Sequence, residues 1–223
     1  MNQPNKKLNK EKKIIGIFIV FALFLVVGFI VLFQFSSPKA YKSSNTSSAD
    51  FSRYVDRDMP MTDSNGSTRQ LKELKGKVWL ISHVFTRCPG QCAGVCVVLD
   101  ELRKEINDKD KLHFVSVTLD PAHDSPSHLK EFSQKHGFDS DDWWFLTGEA
   151  DELNNYMMEV FSLSAQEKKE SEKTSDDDLF AHKPMVALIN HELKIEGWYN
   201  PFDKRSSEVL REKLQIALNE AKS

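Results

Sequence analysis

An uncharged apolar run of 22 residues, opening at Ile14 and closing at Phe35, sets the first limit on this chain. At the helical rise it spans roughly 33 Å, enough to cross the hydrocarbon core of a bilayer. A cleavable signal peptide has a shorter apolar stretch and a small-residue cleavage site. Here the exit reads Gln34-Phe35-Ser36-Ser37-Pro38-Lys39, with no such site and no cysteine for lipid attachment. The run has no polar face, which excludes a surface helix of a soluble domain. Lys6, Lys7, Lys10, Lys12 and Lys13 precede it, and such lysines stay on the cytoplasmic side. The pattern predicts a basic cytoplasmic tail at residues 1–13, an uncleaved single-pass anchor at residues 14–35, and a remainder facing outward. A bare signal anchor of this kind fits the inner membrane of a bacterium, with the rest of the chain in the periplasm.

Residues 36–50 contain six serines, a composition that buries little apolar surface and reads as a flexible linker. Residues 51–223 are then enough for one domain with a real core. The chain carries a net charge of −3 and no basic stripe, which argues against nucleic acid as a partner.

Within that domain the continuous apolar stretch 78–85 reads as a buried central strand, and residues 112–119 as a second. Val95, Val98, Leu99, Leu102 and Ile106 recur at helical spacing. Asp63-Ser64-Asn65-Gly66 signals a hairpin turn, and residues 71–77 form a connector. Residues 127–136 read as a helix ended by Gly137, 143–146 as a short strand and 150–161 as a helix. Residues 185–190 and 194–199 read as a strand pair, and 206–221 as a closing amphipathic helix capped by Ser206 or Ser207. Strands alternating with helices and ending in a hairpin predict an α/β layer with a mixed sheet.

All three cysteines, Cys88, Cys92 and Cys96, fall within nine residues, where the first central strand hands over to its helix. That is the C-terminal edge of the sheet, where α/β folds place their sites. Four-residue spacing on a helix sets Cβ atoms about 5–6 Å apart on one face. A helix N-terminus favours thiolate over thiol, and Arg87 beside Cys88 pushes the same way. Neighbouring thiolates outside the cytoplasm lead to a disulfide or to a soft-metal site, and two sulfurs plus an imidazole suit Cu(I) or Zn. Among seven histidines, His182 immediately precedes the late strand expected to pair beside the cysteine-bearing one.

Several stretches together resemble the SCO/SenC copper proteins. "FTRCPGQC" at residues 85–92 is similar to their F-T-x-C-P-x-x-C signature, and "LDPAHDSP" at 119–126 to their D-P-x-x-D segment. "WWFLTGEADEL" at 143–153 and "DSNGSTRQLKELKGKVWL" at 63–80 resemble further family segments in the same order. The resemblance implies a thioredoxin-like domain, a mixed sheet flanked by helices, held by an N-terminal transmembrane helix. It implies copper, Cu(I) or Cu(II), held by Cys88, Cys92 and His182. It also implies delivery to the copper-site subunit of cytochrome c oxidase during assembly of its binuclear copper site. The other role implied is thiol–disulfide oxidoreductase, with Cys88 and Cys92 as the redox pair keeping the acceptor's cysteines reduced. The sequence departs from the family pattern at Ala93, at Ala181 and in carrying Cys96. A peroxidase of the same fold would need one lone low-pKa cysteine, which the clustered thiols argue against.

The remaining chemistry-bearing residues have plainer readings. Cys96 reads as a small buried residue on the helix, with an added ligand or resolving thiol as the alternative. Asp120 and Asp124 read as turn and helix caps, with acid–base work as the alternative. His83 sits inside an apolar strand and is expected to hydrogen-bond in the core, with a place near the metal as the second reading. His113, His123, His128, His136 and His191 read as surface residues. Residues 165–178, nine of them charged, read as a solvated, mobile loop that is a tolerated insertion, with a role in letting the His182 imidazole swing as the second reading, and Pro184 as a trans proline.

Overall fold

The computed structural model describes residues 54–87, 91–106, 108–173, 175 and 179–222, with the side chains of Gln91, Cys92 and Lys109 left undescribed. They belong to one compact unit, Asp50–Ser223. The apolar run 14–35, the basic tail and the linker lie outside the described residues. Among the described residues no helix is long and apolar enough to cross a membrane.

The two apolar stretches become adjacent parallel strands, β3 (Val78–Val84) and β4 (Leu112–Thr118), in register from Val78 opposite Leu112 to Val84 opposite Thr118. All fourteen of their residues are buried, as a strand covered on both faces requires. Strand β5 (Trp143–Thr147) continues the parallel set beside β4. Its outer edge takes β1 (Met61–Asp63), antiparallel, and then β2 (Thr68–Arg69) across the expected hairpin turn. On the other side of β3 lie β8 (Val186–Ile189) and β9 (Ile195–Tyr199), both added antiparallel. The seven-stranded order is β2-β1-β5-β4-β3-β8-β9.

Helices cover both faces. One core packs α1 (Gln91–Glu105), α2 (Pro126–His136) and α4 (Lys204–Glu220) onto Val78, Leu80, Val84 and Phe114. The other packs α3 (Ala150–Phe161), through Leu153, Tyr156, Met157 and Phe161, onto Trp79, Ile81, Val115 and Val117. Period-two alternation along β3 and β4 divides their side chains between the two cores.

Three expectations need correction. Helix α4 begins at Lys204 and is capped by Asp203, whose carboxylate accepts the Ser206 N–H at 2.8 Å. Ser206 is inside the helix, and its hydroxyl accepts the Asn200 N–H instead. The polar stretch 165–178 is not simply a loop: it opens with β6 (Ala165–Glu167), which pairs antiparallel with β7 (Phe180–His182) as a separate ribbon. Buried Ala165 and half-buried Phe180 anchor it where charge counting sees only solvent. His113 is buried, 2% exposed, because β4 is covered on both sides and its ring lies edge-on to Trp144 at 4.6 Å. His123, His128, His136 and His191 are all at least partly exposed.

Candidate metal centre

Strand β3 ends at the C-terminal edge of the sheet, and Phe85, Thr86 and Arg87 carry the chain toward the thiols. Two carboxylates from the β4–α2 connection brace this segment. Asp124, fully buried, accepts the Thr86 N–H at 3.2 Å and the Thr118 hydroxyl at 2.6 Å. It also accepts the Thr86 hydroxyl and lies 3.0 Å from His123 Nδ1. Asp120 accepts from the Arg87 guanidinium at 2.5 Å, and its own N–H donates to the Thr118 hydroxyl. Hydrogen bonds to an ionised carboxylate are roughly twice as strong as neutral ones. These aspartates therefore do not cap α2, whose cap is Ser125; they fix the strand end that precedes Cys88. Arg87, expected to favour a thiolate, is engaged with a carboxylate that offsets its charge. The signal for this clamp was the short D-P-x-x-D segment; what it grips came only from the fold.

Of the expected ligands, only His182 has a described side chain. Cys88 lies outside the described residues, and Cys92 is placed by its backbone alone, in the first turn of α1. Among the described residues no group of three or more His, Cys, Asp or Glu forms a metal site. His182 sits half-buried on β7, its Nδ1 3.4 Å from the Lys183 carbonyl oxygen. The ribbon brings it to the end of β3: Phe180 packs edge-on against Phe85 at 5.3 Å, and the His182 ring lies 6.5 Å from that of His83. No described peptide bond is cis, so Pro184 follows Lys183 in the ordinary trans form.

His83 is 5% exposed and lies on the face away from α1. Its Nε2 is 3.3 Å from the Leu163 carbonyl oxygen, as expected of a core histidine. Burial is the main cause of a pKa pushed down to about 4. The Leu163 carbonyl works against that shift, and the nearby His182 adds to it. Two cavities of about 350 and 470 Å³ flank the ribbon, and His83 lines both. Cys96, by contrast, is fully buried on the opposite face, 4.0 Å from the Ser116 hydroxyl, and burial pushes its thiol up to about 12. Shut away on that face, Cys96 lines neither of the cavities beside the ribbon.

A mixed sheet covered on both faces, with a thiol-bearing segment between central strand and helix and a histidine-bearing ribbon beside it, defines a thioredoxin-like domain. The solved structures of that shape include Bradyrhizobium japonicum ScoI with copper bound, at a TM-score of 0.60 and 23% identity, covering 72% of this chain and 98% of that one. BsSco, described as having a disulfide switch and as a member of the Sco family of cytochrome c oxidase assembly proteins, matches at a TM-score of 0.61 and 23% identity over 74% and 94% of the two chains. Both likenesses establish the fold. In sequence, a SCO1 protein homolog of Bacillus subtilis is 28% identical over 159 residues, 67% of this chain and 79% of the homolog. Residues 48–219 match the SCO1/SenC family, and the chain belongs to it.

Proposed function

We propose that the protein is a membrane-anchored copper carrier. It takes up one copper ion through Cys88, Cys92 and His182 and delivers it to the binuclear copper site of cytochrome c oxidase during assembly. Copper is cargo here rather than a resident cofactor. Residues 14–35 tether the domain, which works on the periplasmic side. The observation that carries this reading is the β6–β7 ribbon, which brings a histidine remote in sequence to the end of the strand that leads into the two thiols. Two thiolates and an imidazole form a soft set suited to Cu(I). Family membership and the copper-bound ScoI neighbour support the choice of metal. Ligating thiols must be reduced and deprotonated, so copper uptake and thiol redox state are linked.

The test is anaerobic titration of the reduced full-length protein with Cu(I), beside His182→Ala. One equivalent in the parent and at least a tenfold weaker affinity in the variant are expected. Equal affinities would remove His182 from the site. The disulfide switch described for BsSco favours a second reading, in which Cys88 and Cys92 act as a redox pair on the acceptor's cysteines. In that case His182→Ala leaves reductase activity intact.

A further inference from the structure

On the face of the ribbon that carries the cross-strand pair Glu167 and Phe180 lies a cavity of about 350 Å³. Three elements line it: α3, the ribbon and the turn that follows β4. Leu119, Leu153, Met157, Ala165 and Phe180 supply its apolar surface. Its charged groups are all carboxylates, Asp120, Asp151 and Glu167, and no lysine or arginine is among the lining residues. His83, the other titratable group there, is kept neutral by burial.

Asp120 is neutralised by Arg87. Asp151 and Glu167 are exposed, and among the described residues neither has an ion-pair partner. The first turn of a helix favours a carboxylate, which accounts for Asp151. Glu167 has no such reason, since it sits on a short strand, where glutamate is disfavoured, beside a cavity without a cation. Helix α3 itself carries three carboxylates and no basic residue. From Asp151 and Asn154 its outer stripe continues at helical spacing to Met158, a large apolar side chain left 47% exposed. The groove also adjoins the copper end: Asp120 holds Arg87, the residue before Cys88, and Phe180 precedes His182 by two residues.

We propose that this groove seats the copper acceptor, through a surface segment that carries an arginine or lysine beside an apolar side chain. The proposal rests on the copper-carrier reading and adds where, and by what chemistry, that partner docks. The apolar side chain enters between α3 and the ribbon, and the cation lies between Asp151 and Glu167. Exposed charges of this kind steer encounter and fix orientation more than they add affinity. The docked partner then faces the end of the domain that holds the metal.

The test measures binding of the full-length protein in detergent to the copper-free, soluble copper-site domain of the same organism's cytochrome c oxidase, by thermophoresis. Raising salt from about 50 to about 500 mM should weaken it about tenfold, as the charges are screened. Asp151→Lys with Glu167→Lys should weaken it about tenfold at low salt and little at high salt, and Asp151→Asn with Glu167→Gln about threefold. Asp151→Lys alone leaves the ribbon untouched and should show part of the loss, should the double variant disturb β6. Cu(I) affinity, read against a chromogenic chelator, should be unchanged in Asp151→Lys. No binding by the parent, binding insensitive to salt, or equal affinity in the folded variants overturns the docking. So does Ca²⁺ binding or dimerisation of the parent that the charge-reversed protein loses, because a cation or a second copy is then the occupant. The carrier reading fails separately, if the reduced parent takes up no Cu(I).

Discussion

Asp124 offers the sharpest quantitative test of how the fold supports the thiol segment. Replacing it with Ala strands the Thr86 N–H, the Thr86 hydroxyl and the Thr118 hydroxyl, and removes the partner of His123. Hydrogen bonds to a charged acceptor contribute about 1.5–3 kcal/mol each. The two hydroxyls can turn toward other acceptors, whereas the Thr86 N–H cannot, so the losses do not add in full. The expected cost is about 3–5 kcal/mol, the range for breaking a buried charged network. Asp124→Asn keeps the shape but loses the charge and turns an amide NH₂ toward existing donors, for about 2 kcal/mol. Urea denaturation can be followed by tryptophan fluorescence, since Trp79 and Trp143 are buried. With a slope of about 2 kcal/mol per M, the Ala variant should shift the midpoint by about 2 M. Pairing Asp124→Ala with Thr86→Val in a double-mutant cycle should return a coupling of about 1–2 kcal/mol. A cost under about 1 kcal/mol, or no coupling, would refute the idea that this carboxylate clamps the strand end.

Other consequences are more easily stated. Burial, aided by the positive charge of Lys77, pushes His113 down to about 3, and His83 stands at about 4. Above pH 6.5 both are neutral folded or unfolded; as pH falls below that, only the unfolded chain takes up protons. Stability should therefore decline toward acid by about 1.4 kcal/mol per pH unit for each histidine. His113→Phe should roughly halve the slope between pH 6 and 4.5, and an unchanged slope would contradict the assignment. Cys96 should resist alkylation until urea unfolds the chain, and Cys96→Ser should leave Cu(I) affinity unchanged; fast labelling of the native protein would show otherwise. Gly137 ends α2 with φ +76° and open space where a side chain would go, so Gly137→Ala should cost about 1 kcal/mol, from backbone strain alone. Asp203→Ala, removing the α4 cap, should cost about 1 kcal/mol in thermal melts; no loss would mean the helix end is held by other contacts.

Much of the fold was legible in the chain because its signals are local. The continuous apolar runs gave β3 and β4, and Gly137 marked the end of α2. The bounds of α3 follow from periodicity closely enough to match the structure at both ends. The ribbon was missed because β6 and β7 draw their stability from one buried alanine and a ring contact between Phe180 and Phe85, which no composition window detects. His113 was misplaced for a related reason. A histidine between apolar neighbours is compatible with either burial or exposure until the strands on both sides are known. The roles of Asp120 and Asp124 depended on partners more than thirty residues away.

What the sequence determined by itself were the features carried by neighbours in the chain. These are the apolar run at 14–35, the order of strands and helices, the clustering of thiols at a strand-to-helix junction, and the family motifs. Tertiary structure decided which distant groups meet. It set His182 beside His83, gave Thr86 and Arg87 to two aspartates, and sent Cys96 to the opposite face of the sheet. The physical reason is that hydrophobic periodicity encodes which side of an element faces inward. Contacts between elements depend on register and crossover, which are settled only when the layers pack.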